Sequence, residues 1–366
     1  MTQDIIAGSF LILFLYDVCE EIRLEELRRL LDVPPRGREP PFRHPAPEYV
    51  QFARPPVVEP LDPIVLADGV RVEGRIAYYD YGVVSLKLEF AFRTTWEEVV
   101  ALSARWINAA ELERTAAEAT RRHLERAAPA LVNAYDHQLT EDYYIIHLRE
   151  IPRPDTNPPT AAELIEQRAD SIAQIVRGEG TRLSAAERSE ILESRMSYYD
   201  TDLLVVGWTA ALVYDSAEGA APTIQLLEYA NTQLLEFRHY DDVLTRLLSE
   251  VYRSLDKGTS FLARWRLARD AARLNTIRLD ITELTERVDN SIKFLSDMFA
   301  ARLYRMAATK IGVPDYRTLV DQKLQDAGEL YGFMMDRFYQ GRAFVLELMI
   351  VIILIIDLVF LFRGNK

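Results

Sequence analysis

The apolar run near the C-terminus constrains this chain more than any other feature. Residues 343–362 are twenty consecutive positions of which only Glu347 and Asp357 are not apolar, and neither proline nor glycine interrupts them. Twenty helical residues span about 30 Å, the thickness of the hydrocarbon core of a bilayer. Because the run has no polar face, we expect a C-terminal transmembrane helix, a tail anchor, rather than a very hydrophobic core helix.

The N-terminal residues, rather than the charges that flank the run, indicate the orientation of this helix. Two basic residues precede the run and two follow it, so flanking charge does not decide the question. Residues 1–4 contain no Lys or Arg, which disfavours a secretory signal. We therefore expect a single-pass membrane protein with its bulk in the cytoplasm, at the inner membrane if the source is bacterial.

Composition excludes several classes of protein. A length of 366 residues indicates two to three domains, and Cys19 is the one cysteine, so an intramolecular disulfide is excluded. The net charge of −13 argues against a globally basic nucleic-acid binder. The sequence has none of the common nucleotide-binding, hydrolase or zinc-protease motifs. We expect no catalytic residue, no metal and no cofactor.

The first 220 residues combine strand and helix patterns. The apolar stretch from Phe10 to Tyr16 is typical of a central strand, and residues 70–79 and 83–92 read as two strands around a tight turn, Asp80-Tyr81-Gly82. The order strand, helix, strand, strand, helix, strand predicts an α+β fold, ferredoxin-like or a related mixed N-terminal sheet region. A long helical coiled-coil hairpin and the transmembrane helix complete the predicted fold.

Changes in composition divide the chain into five predicted regions. Ten of the 17 prolines lie between residues 34 and 63, which excludes a regular helix or a central strand there and favours a linker over a partner-binding arm. The regions are the first strand and helix (1–33), the Pro-rich linker or arm (34–63), the α+β domain (64–220), the helical coiled-coil stalk (221–342) and the transmembrane helix (343–362).

A heptad pattern underlies the predicted stalk. Asp270 and Ser291 interrupt it, and its partner is either the helix over residues 315–342 folding back or another subunit. The apolar residues of the seam are Leu267, Leu274, Ile277, Ile281, Leu284, Val288 and Leu295.

The stalk also carries a basic segment. Residues 257–310 contain eleven Lys and Arg against six Asp and Glu, a local charge of +5. Arg266, Arg269 and Arg273 lie at i, i+3 and i+7 and form one stripe on a helix. The simpler interpretation is ion pairing beside the coiled coil; the alternative is a surface for RNA, anionic lipid headgroups or an acidic partner.

The two carboxylates of the apolar run are ten residues apart and lie on one side of a helix. Glu347 and Asp357 either reach the two interfaces of the bilayer or line a seam where two helices pack. We favour the seam, because one-sided placement is not needed for reaching the interfaces.

Several of these residues resemble the “required for meiotic nuclear division” family, a group of unknown function. Its members end in Leu-Glu-Trp, an apolar run and Ile-Glu-Ile, with two carboxylates ten apart; here Leu348 replaces the Trp and Asp357 the second Glu. The hairpin Asp80-Tyr81-Gly82-Val83-Val84 is similar to that family's aromatic-Tyr-Gly-Val-Val strand, and the helix around Leu274-Asn275 to its coiled coil.

The resemblance implies a membrane-anchored, non-enzymatic protein that assembles with itself. We accordingly expect a homo-oligomeric scaffold or organising protein whose partners are the lipid bilayer and further copies of itself. One alternative is a membrane tether for ribosomes or RNA, the role that the resemblance implies for mitochondrial members. The other is a pore or transport component that uses the intramembrane carboxylates.

Overall fold

The computed structural model describes the chain in two compact units. The described residues are 5–33, 54–65, 69, 71–107, 109–152, 157–256, 269, 271–279, 281–282, 285 and 298–363; the side chains of 254–256, 337–348, 357 and 359–363 are not described. Unit 1 comprises Met1–His239 and Arg287–Tyr316, and unit 2 comprises Tyr240–Glu286 and Arg317–Lys366.

Unit 1 is built on an eight-stranded mixed sheet in the order β2-β3-β4-β1-β5-β8-β7-β6. Neighbouring strands are antiparallel except β5 and β8, which run parallel. The strands are β1 (Ile5–Ile22), β2 (Val57–Val65), β3 (Arg71–Tyr78), β4 (Val83–Thr95), β5 (Leu131–Glu150), β6 (Arg195–Met196), β7 (Leu203–Val206) and β8 (Ala210–Tyr214).

Helices fill the connections and make up the described part of unit 2. Thr95 starts one of them with a reciprocal capping box, in which its side chain accepts from the Glu98 amide and the Glu98 side chain accepts from the Thr95 amide. The helices are α1 (Leu24–Leu30), α2 (Trp96–Trp106), α3 (Ala110–Ala127), α4 (Ala161–Arg177), α5 (Ala185–Glu193), α6 (Ala217–Asp256), α7 (Met298–Ile311) and α8 (Val313–Arg363), with a 3₁₀ turn at Ala128–Ala130.

The central strand predicted between Phe10 and Tyr16 is confirmed. It is β1, which lies between β4 and β5 and pairs with both along most of its length. Its even-numbered residues, such as Phe10 and Ile12, belong to the main apolar core, to which α2, α3 and α4 contribute from one face of the sheet. Leu13 is also fully buried, on the opposite face. A strand buried on both faces reads as a continuous apolar run, as this one does.

The opposite face of the sheet is joined to the first part of α6 by polar groups. Such contacts stabilise the layer, because a buried polar group without a partner costs about 1–3 kcal/mol. The contacts are Lys87 Nζ to Glu228 Oε2 at 3.8 Å, the Tyr81 hydroxyl to Thr232 Oγ1 at 2.8 Å, and His239 Nδ1 to Asp17 Oδ2 at 2.5 Å. Tyr304 of α7 in turn bonds to Gln233 of α6, so helices cover both faces of the sheet.

Asp17 makes this layer sensitive to pH. Burial raises the pKa of its carboxyl above the ordinary 3.8, against the opposing hydrogen bond and charge of His239. The folded state therefore holds the Asp17 proton more tightly than the unfolded state does, so the stability from this group is full below the unfolded pKa and is lost as pH rises through the folded pKa. We expect Asp17→Asn to gain stability relative to the parent as pH rises above 4.

Urea unfolding of both proteins across pH 4 to 7 measures this difference. The difference between the two free energies of unfolding reports on residue 17 together with its contact to His239, since the more distant titrating groups contribute equally in both proteins. A difference that stays constant would contradict the expectation and show that the contact with His239 offsets burial, and one that moves in favour of the parent with rising pH would show that this contact outweighs burial.

The ferredoxin-like prediction is wrong. That topology has four strands, whereas β2, β3 and β4 form a meander at one end of an eight-stranded sheet. The predicted hairpin is present as β3 and β4, but β2 begins at Val57, inside the segment 34–63 that we expected to be a linker or arm. It contains Pro60 and Pro63, and a proline is tolerated there because β2 is an edge strand.

The coiled-coil hairpin is also wrong. In unit 2 the described helical segment 271–279 contributes Ala271 and Leu274 to an apolar cluster that contains residues of both α6 and α8. Three helical segments of one chain therefore share this core, rather than the two strands of a heptad seam. The cluster's other buried residues are Leu247, Leu248, Val251, Ala327, Leu330 and Met334.

The structure also overturns the transmembrane anchor. The apolar run is not a separate element but the last part of α8, a helix of 51 residues that begins at Val313. Within the described ranges, no helix has both the length and the apolar character needed to cross a bilayer. The predicted tail anchor, the single-pass topology and the cytoplasmic exposure of the remaining chain are therefore unsupported.

Candidate functional site

A cleft of about 770 Å³ lies in unit 1 at the end of the sheet that carries β6. Its walls are the last turn of α4, the helix α5, the turn between β7 and β8, and one face of α7. The lining residues are Val176, Arg177, Glu187, Glu190, Ile191, Ser194, Met196, Gly207, Trp208, Thr209, Arg302, Arg305, Met306, Thr309 and Lys310. Pockets for small ligands typically measure about 300–1,000 Å³, so the cleft has the size of a binding site.

Helix α7 supplies most of the positive charge of the cleft. Its sequence, MFAARLYRMAATKI, contains three basic residues and no Asp or Glu, in a chain whose net charge is −13. Its buried positions include Leu303, Ala307 and Ile311, which recur at helical spacing and form the face that packs on the rest of unit 1. Arg302 directly precedes Leu303, and Arg305 lies between Leu303 and Ala307; both arginines are exposed and line the cleft three residues apart.

Two of the four cations of the cleft are neutralised within it. Lys310 forms an ion pair with Glu190 of α5, and Arg177 Nε lies 3.5 Å from Glu187 Oε1. Within the described part of the chain, neither Arg302 nor Arg305 has a carboxylate within 4 Å, while the Arg302 guanidinium lies 6.0 Å from the ring centre of Phe299. The lining thus retains two positive charges, which favour an anion.

The turn between β7 and β8 places an aromatic ring in the same cleft. Trp208 is 56% exposed, yet the backbone around it is fixed by hydrogen bonds. The Gly207 amide donates to the Ala210 carbonyl at 2.8 Å, the Tyr143 hydroxyl donates to the Gly207 carbonyl at 3.1 Å, and the Tyr144 amide donates to the Thr209 carbonyl at 3.0 Å.

Two glycines allow this close packing. A Cβ on Gly207 would lie 2.6 Å from Val176 Cγ1, so only glycine lets the turn approach the end of α4. A Cβ on Gly312, whose φ is +97°, would lie 3.3 Å from Cη2 of Trp208, so the ring lies over this glycine. The Trp208 ring therefore has a defined position although it is exposed to solvent.

Cys19, Tyr135 and His239 lie near Asp17, but this group is poorly suited to nucleophilic catalysis or metal binding. Cys19 is fully buried, and burial raises the pKa of its thiol to about 12, so the thiolate is not formed at neutral pH. The Tyr135 ring stacks on His239 with 4.5 Å between ring centres. In the described residues no group of three His, Cys, Asp or Glu side chains is arranged to hold a metal ion.

The residues singled out from the sequence do not converge on the cleft. Asp80, Tyr81 and Gly82 form the turn between β3 and β4, where Gly82 has a φ of +95° and the Tyr81 hydroxyl bonds to Thr232. In unit 2, Arg273 Nη1 lies 3.3 Å from Glu250 Oε2, and Arg269 is exposed. This ion pair agrees with the simpler of the two interpretations of the basic stripe, which was ion pairing rather than a binding surface.

The remaining sequence-derived residues are only partly described. In the predicted seam Leu274 and Ile281 are buried, and Ile277 packs against the apolar cluster of unit 2. Glu347 and Asp357 belong to α8, but their side chains lie outside the described part of the structure. The other predicted residues, which fall outside the described residues altogether, are Arg266, Leu267, Leu284, Val288 and Leu295.

Sequence reasoning missed Arg302, Arg305 and Trp208. The basic segment 257–310 includes both arginines. However, we expected any binding surface of that segment to lie on the stripe at residues 266–273. The signal that could have found them is the absence of carboxylates from residues 298–311. Nothing in the sequence brings Trp208 next to that helix, because they are about ninety residues apart and meet only through the fold.

Unit 1 defines the class of protein: a mixed sheet covered by helices, with a basic cleft at one end. The family described as “Uncharacterized protein MJ0711, N-terminal domain” matches residues 7–221, and the chain belongs to this family. Uncharacterized protein MJ0711 of Methanocaldococcus jannaschii is 18% identical over 219 residues, which are 60% of this chain and 65% of that protein. The chain thus spans less than two thirds of the relative. No solved structure matches.

These comparisons and the fold correct the functional expectation. The predicted membrane-anchored, homo-oligomeric scaffold is unsupported, since no described helix can span a membrane and the relative is itself uncharacterised. The membrane tether for ribosomes or RNA and the pore built on intramembrane carboxylates depend on the same helix and fall with it. The resemblance to the meiotic nuclear division family stays a prediction, as does the absence of enzymatic activity.

Proposed function

We propose that unit 1 is a binding module that captures an anionic ligand in the cleft beside α7. The observation that carries this proposal is the pair Arg302 and Arg305, which line the cleft from a helix without carboxylates and have no acidic partner among the described residues. The proposal assigns binding, and no reaction, to the cleft.

Arginine suits this role better than lysine would. Its planar guanidinium presents several N–H donors in a fixed fork that matches the oxygens of a phosphate or carboxylate. Two such groups one turn apart can hold one multivalent anion between them. The carboxylates Glu187 and Glu190 are already paired with Arg177 and Lys310, so they offer little repulsion to an incoming anion.

The neutralised pairs also shape the specificity of the cleft. The pair of Lys310 and Glu190 joins α7 to α5, and the pair of Arg177 and Glu187 joins α4 to α5. These contacts hold the walls in place without adding net charge. A ligand with two or more negative charges therefore matches the lining best, and a neutral ligand of the same size lacks the main source of affinity.

Removing either arginine is expected to lower this affinity strongly. A hydrogen bond to a charged group contributes about 1.5–3 kcal/mol, so each of Arg302→Ala and Arg305→Ala should weaken binding of inorganic pyrophosphate at least about tenfold. Titration calorimetry on the full chain at low ionic strength measures this effect, and added salt should weaken binding by the parent.

Arg121→Ala is the matched control. Arg121 is exposed on α3 and pairs with Glu125, away from the lining of the cleft. Its removal changes net charge by the same amount as either cleft variant, so it separates a local site from a general charge effect. Equal weakening in all three variants, or no measurable binding by the parent, would refute the proposal.

A further inference from the structure

Trp208 differs from the other described tryptophans in its exposure to solvent. The other tryptophans that the structure describes, Trp96 and Trp106, are 2% and 4% exposed and belong to the main core. Trp208 is 56% exposed to water, although tryptophan is highly buried on average. Its position is nevertheless held by the hydrogen-bonded turn and by the contact with Gly312.

A fixed, exposed ring is the arrangement that a flat ligand needs. Stacking on a ring that is already in place costs little conformational entropy, because neither the turn nor the side chain has to be ordered on binding. Met196 and Met306 line the same cleft and provide an adaptable apolar surface around the ring. The cleft therefore combines an aromatic platform, adaptable apolar walls and two arginines that have no acidic partner among the described residues.

From this combination we infer that the ligand is a nucleotide, with its base stacked on Trp208 and its phosphate held by Arg302 and Arg305. This inference rests on the proposed anion-binding function and names the ligand class of the same cleft. A nucleotide carries a flat ring and a dianionic phosphate on one compact scaffold, which are the two features that the lining recognises. A volume of about 770 Å³ accommodates such a ligand, whereas a single phosphorylated side chain would leave much of the cleft unfilled.

The test compares ligands that differ only in the ring. Adenosine 5′-monophosphate has both features, and ribose 5-phosphate has the phosphate without the base. Stacking of a base on an aromatic side chain corresponds to roughly a five- to 150-fold difference in affinity. We expect calorimetry on the full parent chain to show this preference for the nucleotide, together with a change in tryptophan fluorescence on binding.

Variants at the ring locate the preference. In Trp208→Leu the preference for adenosine 5′-monophosphate over ribose 5-phosphate should fall close to one, and in Trp208→Phe part of it should remain, since phenylalanine keeps a smaller aromatic face. The fluorescence change should be lost in both variants. Circular dichroism verifies that each variant is folded, as expected for a side chain that is more than half exposed.

The outcomes separate this inference from the function on which it rests. If pyrophosphate and ribose 5-phosphate bind but the nucleotide binds no tighter, or if its advantage persists in Trp208→Leu, the nucleotide inference fails and the anion site stands. Tighter binding of O-phosphotyrosine than of the nucleotide would also overturn it, in favour of a phosphorylated peptide. If none of these ligands binds, the proposed function fails as well.

Discussion

Replacing Lys87 by methionine is expected to destabilise unit 1 by about 3–5 kcal/mol, the effect of removing one partner of a buried ion pair. Lys87 is 6% exposed and Glu228 is 4% exposed, and their charged atoms lie 3.8 Å apart between β4 and α6. Burial lowers the pKa of Lys87, whereas the nearby Glu228 raises it in opposition. Methionine fills the space of the lysine stem but leaves the Glu228 carboxylate without its cation.

The double variant Lys87→Met with Glu228→Gln provides the control. Glutamine keeps an acceptor for the Tyr79 hydroxyl, which interacts with Glu228, and removes the charge that the single variant leaves uncompensated. It should therefore recover most of the loss, because replacing both members of a buried pair is often nearly neutral. Urea unfolding followed by the fluorescence of the buried Trp96 and Trp106 measures both changes. A single variant as stable as the parent would show that the pair has no structural role.

The parts of the fold that could be predicted are those set by local pattern. The continuous apolar run of β1 and the two strands around Gly82 each depend on a few neighbouring residues. The structure confirms both predictions. Local propensity and turn chemistry are strong enough at these positions to decide the conformation.

The parts that could not be predicted depend on distant contacts. The first half of β5 is polar and mostly exposed, so its sequence lacks a strand pattern, and pairing with β1 holds it extended. The prolines of β2 argue against a strand unless its place at the edge is known. The candidate cleft is the extreme case, because its walls come from α4, α5, α7 and the turn at Trp208, which only the complete unit brings together.

The wrong prediction of a C-terminal transmembrane helix came from counting apolar residues. Counting consecutive apolar residues measures the hydropathy of a stretch without reference to the element that contains it. Here the stretch continues a helix that begins at Val313, and its side chains from Met349 to Ile356 are between 47% and 61% exposed. The heptad pattern was similarly ambiguous, since an apolar repeat at helical spacing fits a core of three helical segments as well as a two-stranded seam.

Gly82→Ala adds a single methyl group and is expected to lower the stability of unit 1 by more than about 4 kcal/mol. Two costs combine at this position. The φ of Gly82 is +95°, which an L side chain rarely adopts, and a Cβ would lie 1.8 Å from the Cys19 carbonyl oxygen. The turn cannot easily withdraw, because the Val18 amide donates to the Gly82 carbonyl at 3.1 Å and the Ile22 amide to the Asp80 carbonyl at 3.1 Å.

Gly69→Ala separates the two costs. Gly69 has a similar φ of +82°, but a Cβ there would meet no atom of the described residues within 4 Å, so only the backbone strain of about 1–2 kcal/mol should remain. Urea unfolding of both variants under one condition gives the comparison. A loss for Gly82→Ala as small as that for Gly69→Ala would mean that the Cys19 carbonyl moves aside at little cost. The tight seating of the β3–β4 turn against β1 would then not be what holds this end of the sheet together.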